Sequence, residues 1–417
     1  MKLVPGRYGR VLQPRPVRIL LSGYGVSLVG DGMSVVSVAA LALRIGACPH
    51  RSLIVGASLA AYSLPAALGA LVLRRWLSAV SSRRLVLLDC LLRALAMAAI
   101  PIVRVAGGLN PGLYIGLLAI GSLLMSWGYA GRYSLIAELA EPDLRMAANS
   151  LMSSLDSLSV VVGPALAGAI ITFADPSVLI AADAASYVAL AVAVGRLPDP
   201  IAHTDAPDPG QGGWTLLRRN PQLLALLVIT FGFYFLYGPV EVALPVFVAD
   251  HHTVSVLGLY WAVFGLGALV GGLAAGTLPR LRLWTTMVGV IAGWGLAVTV
   301  FGITSALAPT LIAFAVGGAI YGPYPALSFT LFQDETPKAQ LTAVLAARSG
   351  ILVASSPLGT VLGGPLTAGL GASGTLFLSG ITTVGLAVVA LPLVRRNRDA
   401  GPVRPPVGPE GAGPTAE

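Results

Sequence analysis

Long apolar runs alternate with short polar segments along almost the whole chain. A helix needs about 20 mostly apolar residues to cross the hydrocarbon core of a bilayer. Twelve runs reach that length, so the pattern predicts an all-α polytopic membrane protein with twelve transmembrane helices. The predicted helices cover residues 18–44, 53–75, 84–104, 112–137, 146–173, 177–196, 222–249, 255–278, 284–306, 310–333, 340–364 and 372–394.

One long polar segment separates the sixth run from the seventh. Its sequence, LPDPIAHTDAPDPGQGGWTLLRRNP, is rich in Pro, Asp and Gly and is typical of a linker. The end of the chain has the composition of a disordered tail. The predicted organisation is an N-terminal arm (1–17), a six-helix bundle (18–196), a linker (197–221), a second six-helix bundle (222–394) and a tail (395–417).

A weak internal repeat relates the two predicted bundles. Residues 131–168 contain a helix end, an acidic turn with proline and a long helix of small residues, and the same order recurs 195 positions later. Matching positions include Pro142 and Pro337, Ala148 and Ala343, Ser154 and Ser349, and Gly168 and Gly363. We interpret the chain as two six-helix pseudo-repeats.

Composition agrees with the membrane interpretation. The chain is 56% hydrophobic and 11% charged, whereas a soluble domain has about 25% charged residues. The net charge of +8 comes from basic residues in short loops, which is a topology signal and not a nucleic-acid surface. No nucleic-acid partner is therefore expected.

The distribution of Arg and Lys predicts the orientation. The side that holds both termini carries nearly all of them, and the opposite side has only Arg44, Arg51 and Arg104. The positive-inside rule then places both termini in the cytoplasm. The preference for Arg over Lys is typical of a GC-rich bacterial genome, so we expect a multi-pass protein of the bacterial cytoplasmic membrane.

Several classes of chemistry have no support in the sequence. The four histidines fall in loops, the two cysteines, Cys48 and Cys90, suggest no disulfide or metal framework, and there is no phosphate-binding loop or nucleophile elbow. We therefore expect neither an enzyme nor an ATP-driven pump, and no cofactor or metal.

Six helices, a linker, six more helices and a repeat between the halves resemble the plan of the major facilitator superfamily. The stretches PDLRMAANSLMSSLDSLSVVVGPALAGAII and IAADAASYVALAVAVGRLP resemble the fifth and sixth helices of the branch that holds enterobactin-type siderophore exporters and macrolide-efflux proteins. LLRRNPQLLALL, GPVEVALPVF and FGLGALVGGLAAG resemble its seventh and eighth helices.

The resemblance implies a secondary active transporter that exports a drug-like or secondary-metabolite molecule in exchange for protons by alternating access. Its expected partners are the small-molecule substrate, protons and the lipid bilayer, and the expected state is a monomer. Two alternatives stay open: a nutrient or metabolite importer, and a facilitator-fold scaffold or sensor that no longer transports.

Two motifs depart from the family pattern. The loop between helices 2 and 3 has Leu73 where an Asp is usual, followed by Arg74 and, after a serine-rich insertion, by Arg83 and Arg84. The missing carboxylate puts the usual cytoplasmic latch in doubt. Helix 11 has Leu341 and Thr342 where the branch often has a Gly-Arg pair.

Asp31 is the first candidate for proton coupling. It lies thirteen residues from both Arg18 and Arg44, which places it about 20 Å from each basic anchor and near the bilayer midplane. An unpaired carboxylate costs several kcal/mol there when charged, which suits a group that takes up and releases a proton. The resemblance places Asp31 facing the cavity. The alternative is a protonated side chain that bonds to a neighbouring helix for packing.

Glu241 is the second candidate. It lies between Pro239 and Pro245 in helix 7, and an interrupted helix suggests a cavity border. It is predicted as a second proton site or a site for a cationic substrate, with a helix-end residue wetted from outside as the alternative.

Other polar residues receive gating or structural roles. Asp89 and Arg93 are four residues apart and can neutralise each other on one face of helix 3. Arg132 and Arg348 lie near helix ends where snorkelling is inexpensive, and Arg132 has a possible gate partner in Glu138 or Asp156. Asp183 matches the family's Asp-Ala-x-Ser-aromatic pattern, which implies an interhelical hydrogen bond.

Small residues and prolines complete the gating set. Gly163, Pro164 and Gly168 resemble a motif of proton-driven exporters, with close helix approach and a proline bend as its physical content. Pro357 belongs to the equivalent stretch of the second half, and Pro323 marks a bending point in helix 10.

Aromatic residues are the candidates for the substrate cavity. They cluster on several predicted helices, where they either line a pocket for a greasy ligand or face lipid. The predicted cavity residues are Tyr24, Tyr129, Phe235, Tyr237, Tyr321 and Tyr324.

Overall fold

A computed structural model describes residues 9–46, 50–77, 80–141, 144–197, 213–275, 283–336 and 340–399. Within these ranges, eleven helices are long and apolar enough to cross a membrane. The last of them, Ala347–Pro392, has 46 residues, about twice the length of one crossing. Gly371 interrupts it with a φ of +73°, a left-handed conformation that favours glycine. The twelve predicted crossings are therefore present.

The spanning helices are numbered α1 to α12. Their bounds are α1 Arg15–Ile45, α2 Arg51–Val72, α3 Ser82–Val105, α4 in two parts (Pro111–Ser122 and Met125–Leu139), α5 Arg145–Ile171, α6 Pro176–Gly195, α7 Pro221–His251, α8 Val256–Ala275, α9 Leu283–Ile303, α10 in two parts (Leu307–Tyr321 and Tyr324–Asp334), α11 in two parts (Leu341–Leu352 and 355–370) and α12 (372–399). The second part of α11 and α12 together form the interrupted helix Ser355–Asp399.

Three helices begin with the same local chemistry. Asn110, Asp175 and Asn220 each accept a hydrogen bond from a backbone N–H of the first turn, and each is followed by a proline. These side chains satisfy donors that a helix start leaves unpaired, and proline fits the first helical position because no N–H is needed there. The starts of α4, α6 and α7 are thus fixed by short-range sequence.

The start of α6 also ties three helices together. The Asp175 carboxylate accepts from Arg104 of α3 at 2.7 and 2.9 Å and from Arg44 of α1 at 3.0 Å. Burial alone would raise the pKa of Asp175, but hydrogen bonds from Arg104 and Ser177 outweigh it and hold the pKa below its usual range. A carboxyl with a lowered folded-state pKa stabilises the fold above its unfolded value of about 3.9, and this contribution is lost as the pH falls.

We expect Asp175→Asn to lower the free energy of unfolding by about 1 kcal/mol, the upper end for partly exposed pairs. The difference in unfolding free energy between variant and wild type should have its full size at neutral pH and become smaller below about pH 4. Thermal unfolding in detergent across this pH range measures it. A difference that grows on acidification would contradict the assignment of the ionised carboxylate.

The structure adds a short helix to one predicted segment and moves one predicted boundary. The predicted linker 197–221 contains a short helix, Gly213–Arg219, in which Leu217 is buried, because an apolar face can pack even in a short segment. The backbone of helix α12 continues to Asp399, beyond the predicted tail start at 395. The rest of the linker (198–212) and of the tail (400–417), and the arm up to residue 8, lie outside the described residues.

Close contacts join the first six helices to the last six near the membrane face opposite the termini. Helix α5 packs on α8, and α2 packs on α11. A Cβ atom on Gly168 would lie 2.9 Å from the Cα of Gly258, and one on Gly56 would lie 2.7 Å from the Cα of Gly364. An ion pair between Arg51 of α2 and Asp250 of α7, at 3.8 Å, lies at the same face. This face is closed in the structure.

We expect Gly258→Leu to prevent this closure. A Cβ there would lie 2.6 Å from the backbone nitrogen of Gly168, and helix backbone cannot move away as a flexible side chain can. A cysteine replacing buried Ser52, in a chain whose native cysteines are serine, should then be labelled by a maleimide severalfold faster in detergent. Gly289→Leu is the matched control because nothing lies within 4 Å of a Cβ there. Equal labelling in both variants would contradict the prediction.

Candidate functional site

Four ionisable side chains and one tyrosine form a buried charge cluster among the first six helices. Arg93 of α3 donates to Asp89 at 3.0 Å and to Asp31 of α1 at 3.2 Å. Arg132 of α4 donates to the second oxygen of Asp89 at 3.2 Å. The Tyr187 hydroxyl of α6 donates to Asp31 and lies against Arg93. The charge cluster thus links α1, α3, α4 and α6.

The charge cluster is balanced, and only one of its charged members keeps substantial exposure. Two carboxylates face two guanidinium groups. The Asp89, Arg93 and Arg132 side chains are at most 3% exposed, whereas Asp31 keeps 23%. Because buried charges need partners, the pairing explains how these groups are tolerated. Solvent or a ligand therefore reaches the charge cluster through the Asp31 carboxyl.

The partner of Arg132 differs from the sequence prediction. Arg132 pairs with neither Glu138 nor Asp156 but with Asp89, and it is buried rather than snorkelling. Glu138 instead accepts from Ser82 at 2.7 Å. Helical spacing aligns Asp89 with Arg93 on α3, but the orientation of α4 towards α3 is set by packing between the helices, which spacing does not report.

Asp183 is a buried carboxylate without an ion pair among the described residues. It accepts from Ser34 of α1 at 2.5 Å and from Ser186 at 3.3 Å. The Asp183 carboxyl occupies space that is available because Gly30 has no side chain. A Cβ atom on Gly30 would overlap this carboxyl. Its contact with Ser34 joins α6 to α1.

Three tyrosines surround Asp156 of α5. Its carboxylate accepts from Tyr24 at 2.6 Å, from Tyr133 at 2.7 Å and from Tyr129 at 3.5 Å. Tyr24 is fully buried and also lies 5.3 Å from the Arg132 guanidinium, so it does not line an open cavity as predicted. Tyr129 is 49% exposed. The sequence signal for this site was a carboxylate inside an apolar helix, and its three hydroxyl donors come from two other helices.

In the last six helices, the candidate carboxylate is Glu241 of α7. Its carboxylate accepts from Thr360 at 3.0 Å and from Ser356 at 3.3 Å, both on α11. No cation among the described residues forms an ion pair with it. Gly238 and Gly359 allow α7 and α11 to approach closely beside it.

Aromatic rings extend from Glu241 along α7, α9 and α10. Tyr237 stacks on Tyr321 at 5.9 Å and contacts Trp294 at 5.6 Å. Tyr237, Tyr321 and Phe235 are half-buried, whereas Tyr324 is fully buried. Tyr324 was predicted to line the cavity but instead packs against Tyr321. Neighbouring helices surround α10 at this point and cover the Tyr324 ring. The sequence analysis did not include Trp294, because the sequence of α9 by itself does not show that this residue contacts α7.

The remaining predicted gating residues lie at helix ends, at helix–helix contacts or within helices. Arg83 donates to the carbonyls of Val194 and Gly195 at the C-terminus of α6, and Arg84 is exposed. A Cβ on Gly163 would lie 2.8 Å from the Met33 nitrogen of α1, so α5 and α1 touch there. Pro164 lies inside α5, Pro323 immediately precedes the second part of α10, and Pro357 lies in the second part of α11.

Twelve spanning helices with internal ion pairs and with inter-half contacts at one face define a polytopic transporter fold. The sequence profile of the Major Facilitator Superfamily matches residues 20–349. The chain belongs to this superfamily.

Relatives place the chain in an efflux branch. It is 32% identical over 332 residues to an uncharacterized MFS-type transporter of Sinorhizobium fredii, covering 73% of this chain and 80% of the other. It is 26% identical to the multidrug efflux pump Tap of Mycolicibacterium fortuitum, over 91% of this chain and 96% of that protein. Macrolide efflux protein A of Streptococcus pyogenes is 26% identical over 59% of this chain and 63% of its own length.

A solved structure supports the fold independently. The crystal structure of a D-xylose-proton symporter superposes with a TM-score of 0.68 and 14% identity, covering 90% of this chain and 96% of that one. At this identity the likeness concerns the fold alone, which is the major facilitator fold.

Proposed function

We propose that this protein exports drug-like or secondary-metabolite molecules in exchange for protons by alternating access. The observation that carries the proposal is the partial exposure of Asp31. The charge cluster is balanced, and Asp31 is its one charged member that is not almost fully buried. The names of two relatives, a multidrug efflux pump and a macrolide efflux protein, support export.

Protonation of Asp31 would unbalance the charge cluster. Two guanidinium groups would then face one carboxylate, and Arg93 would keep only Asp89 as an ionic partner. An excess charge in a low-dielectric interior is costly, so the ion pair between α1 and α3 and the packing of α1 on α6 would change with the proton. Since α1 also contacts α5 and α7, that change can reach the interface between the halves.

The proposed cycle moves residues 18–196 against residues 222–394. Glycine contacts between α5 and α8 and between α2 and α11 would open as the opposite face closes. We place both termini in the cytoplasm of a bacterium, from the distribution of basic residues, and propose that one chain is the transporting unit.

Proteoliposomes with an imposed pH gradient test the proposal. Ethidium, an aromatic cation, should accumulate against its gradient when the gradient drives protons in the opposite direction, and its addition should evoke proton flux. Movement of ethidium together with protons would favour the importer. Saturable binding without any flux would favour a non-transporting scaffold.

A further inference from the structure

We propose that the last six helices hold a binding site for a dipolar molecule, with a cationic amine at Glu241, an anionic oxygen at Arg348 and a flat apolar body between them. The proposal deepens the proposed function, on which it rests, by naming the class of substrate. Two half-buried charges of opposite sign, each without an ionic partner in the described residues, carry it.

Glu241 supplies the anionic end. Two hydroxyl groups are its hydrogen-bond donors, and they leave its negative charge uncompensated. Tyr237 lies one turn before Glu241 on α7, and Tyr321 of α10 stacks on Tyr237; both rings are half-buried. A carboxylate beside aromatic faces is a favourable environment for an organic cation.

Arg348 of α11 supplies the cationic end. It donates to Ser328 at 3.0 Å, lies over the rings of Phe329 and Phe332, and has a buried Nε without a hydrogen-bond partner. No carboxylate among the described residues pairs with it. A guanidinium in this state can still form a charge-assisted hydrogen bond with an anionic oxygen.

A row of packed tyrosines lies between the two charges; Tyr324 in it is fully buried, whereas Tyr234, Tyr321 and Tyr237 are half-buried and remain partly accessible. Tyr234 and Tyr324 lie near Arg348, Tyr324 stacks on Tyr321, and Tyr321 stacks on Tyr237 beside Glu241. Tyr234 and Glu241 are seven residues apart on α7, which separates these two residues by about 10 Å along the helix. This length and surface fit a flat molecule with opposite charges at its ends.

The first six helices provide the contrast. Their arginines Arg93 and Arg132 are paired with Asp31 and Asp89, so they offer a ligand no free cation. Arg93 also has a buried Nη2 without a hydrogen-bond partner, but Asp31 and Asp89 balance its charge, whereas no carboxylate among the described residues pairs with Arg348. The pair of separated, unneutralised charges therefore distinguishes the α7–α10–α11 surface.

Equilibrium binding to the purified full chain tests the inference without requiring transport. The probes are tetramethylrhodamine, an aromatic cation with a carboxylate, and its methyl ester, which keeps the cation alone. At mildly alkaline pH, fluorescence anisotropy should give an affinity about tenfold higher for the carboxylate form, equivalent to about 1.4 kcal/mol. Glu241→Gln should weaken both probes about tenfold, and Arg348→Gln should abolish the preference by weakening the carboxylate form alone.

Two exposed residues provide matched controls. Glu138→Gln and Arg218→Gln make the same chemical changes outside this surface and should leave both affinities unchanged. Equal affinity of wild type and Glu241→Gln for the ester, an undiminished preference in Arg348→Gln, or no saturable binding to wild type would each overturn the inference. Because binding is measured without a gradient, a failure of proton coupling would leave this result intact and be seen only in proteoliposomes.

Discussion

Asp31→Asn is expected to fold and bind substrate but to lose transport against a gradient. Asparagine keeps the size of the side chain and can still accept from Tyr187 and Arg93, but it cannot exchange a proton. If Asp31 carries the coupled proton, pH-driven accumulation of ethidium in proteoliposomes should fall to the level of protein-free vesicles. Downhill exchange can survive, because alternating access does not itself require a titrating group.

Related variants separate coupling from packing. Asp31→Glu should retain part of the uphill activity, since the carboxyl is kept and only its reach changes. Under the packing alternative, Asp31→Asn would behave as wild type, and Asp31→Leu would be destabilised by about 1 kcal/mol through the lost interhelical bond. Normal uphill transport by Asp31→Asn would remove Asp31 as the coupling site and leave Glu241 as the remaining candidate.

The second large effect concerns stability. Asp89→Asn removes the carboxylate that accepts from both Arg93 and Arg132, and all three side chains are almost fully buried. Two guanidinium groups would then share Asp31 alone. Breaking a buried ion pair by removing one partner costs about 3–5 kcal/mol, so we expect a strong drop in unfolding temperature in detergent.

Asp183→Asn is the matched control for Asp89→Asn. Both carboxyls are fully buried, but Asp183 accepts from serine hydroxyls and forms no ion pair among the described residues. An amide can replace it at a cost of about 1 kcal/mol, the usual size of one neutral hydrogen bond. Equal destabilisation by the two substitutions would show that burial, and not the pairing of charges, controls their stability.

Sequence patterns alone determined the class of this protein. Apolar runs of membrane length predicted twelve crossings, and the positions of Asn110, Asp175 and Asn220 before prolines fixed helix starts that the structure contains. The motifs of helices 5 to 8 indicated the superfamily and its efflux branch, which the family profile and the relatives confirm. These features are local, because each depends on residues within one helix or one turn.

The composition of the site was only partly predictable. Helical spacing paired Asp89 with Arg93, four residues apart, and singled out Asp31 and Glu241 as carboxyls in apolar helices. It could not join Asp31 to Arg93, or Arg132 to Asp89, because those contacts join residues on different helices that are 62 and 43 positions apart in sequence, respectively.

Tertiary structure alone decided which side chains are accessible and which charges are neutralised. The rotation of each helix about its axis, set by close glycine contacts and ring packing, buries Tyr24 and Tyr324 and leaves Tyr237 and Tyr321 half-buried. The same rotations neutralise Arg132 but leave Arg348 without a carboxylate. An apolar helix in a membrane has a hydrophobic surface on nearly every side, so its own sequence gives little indication of which face meets a neighbour.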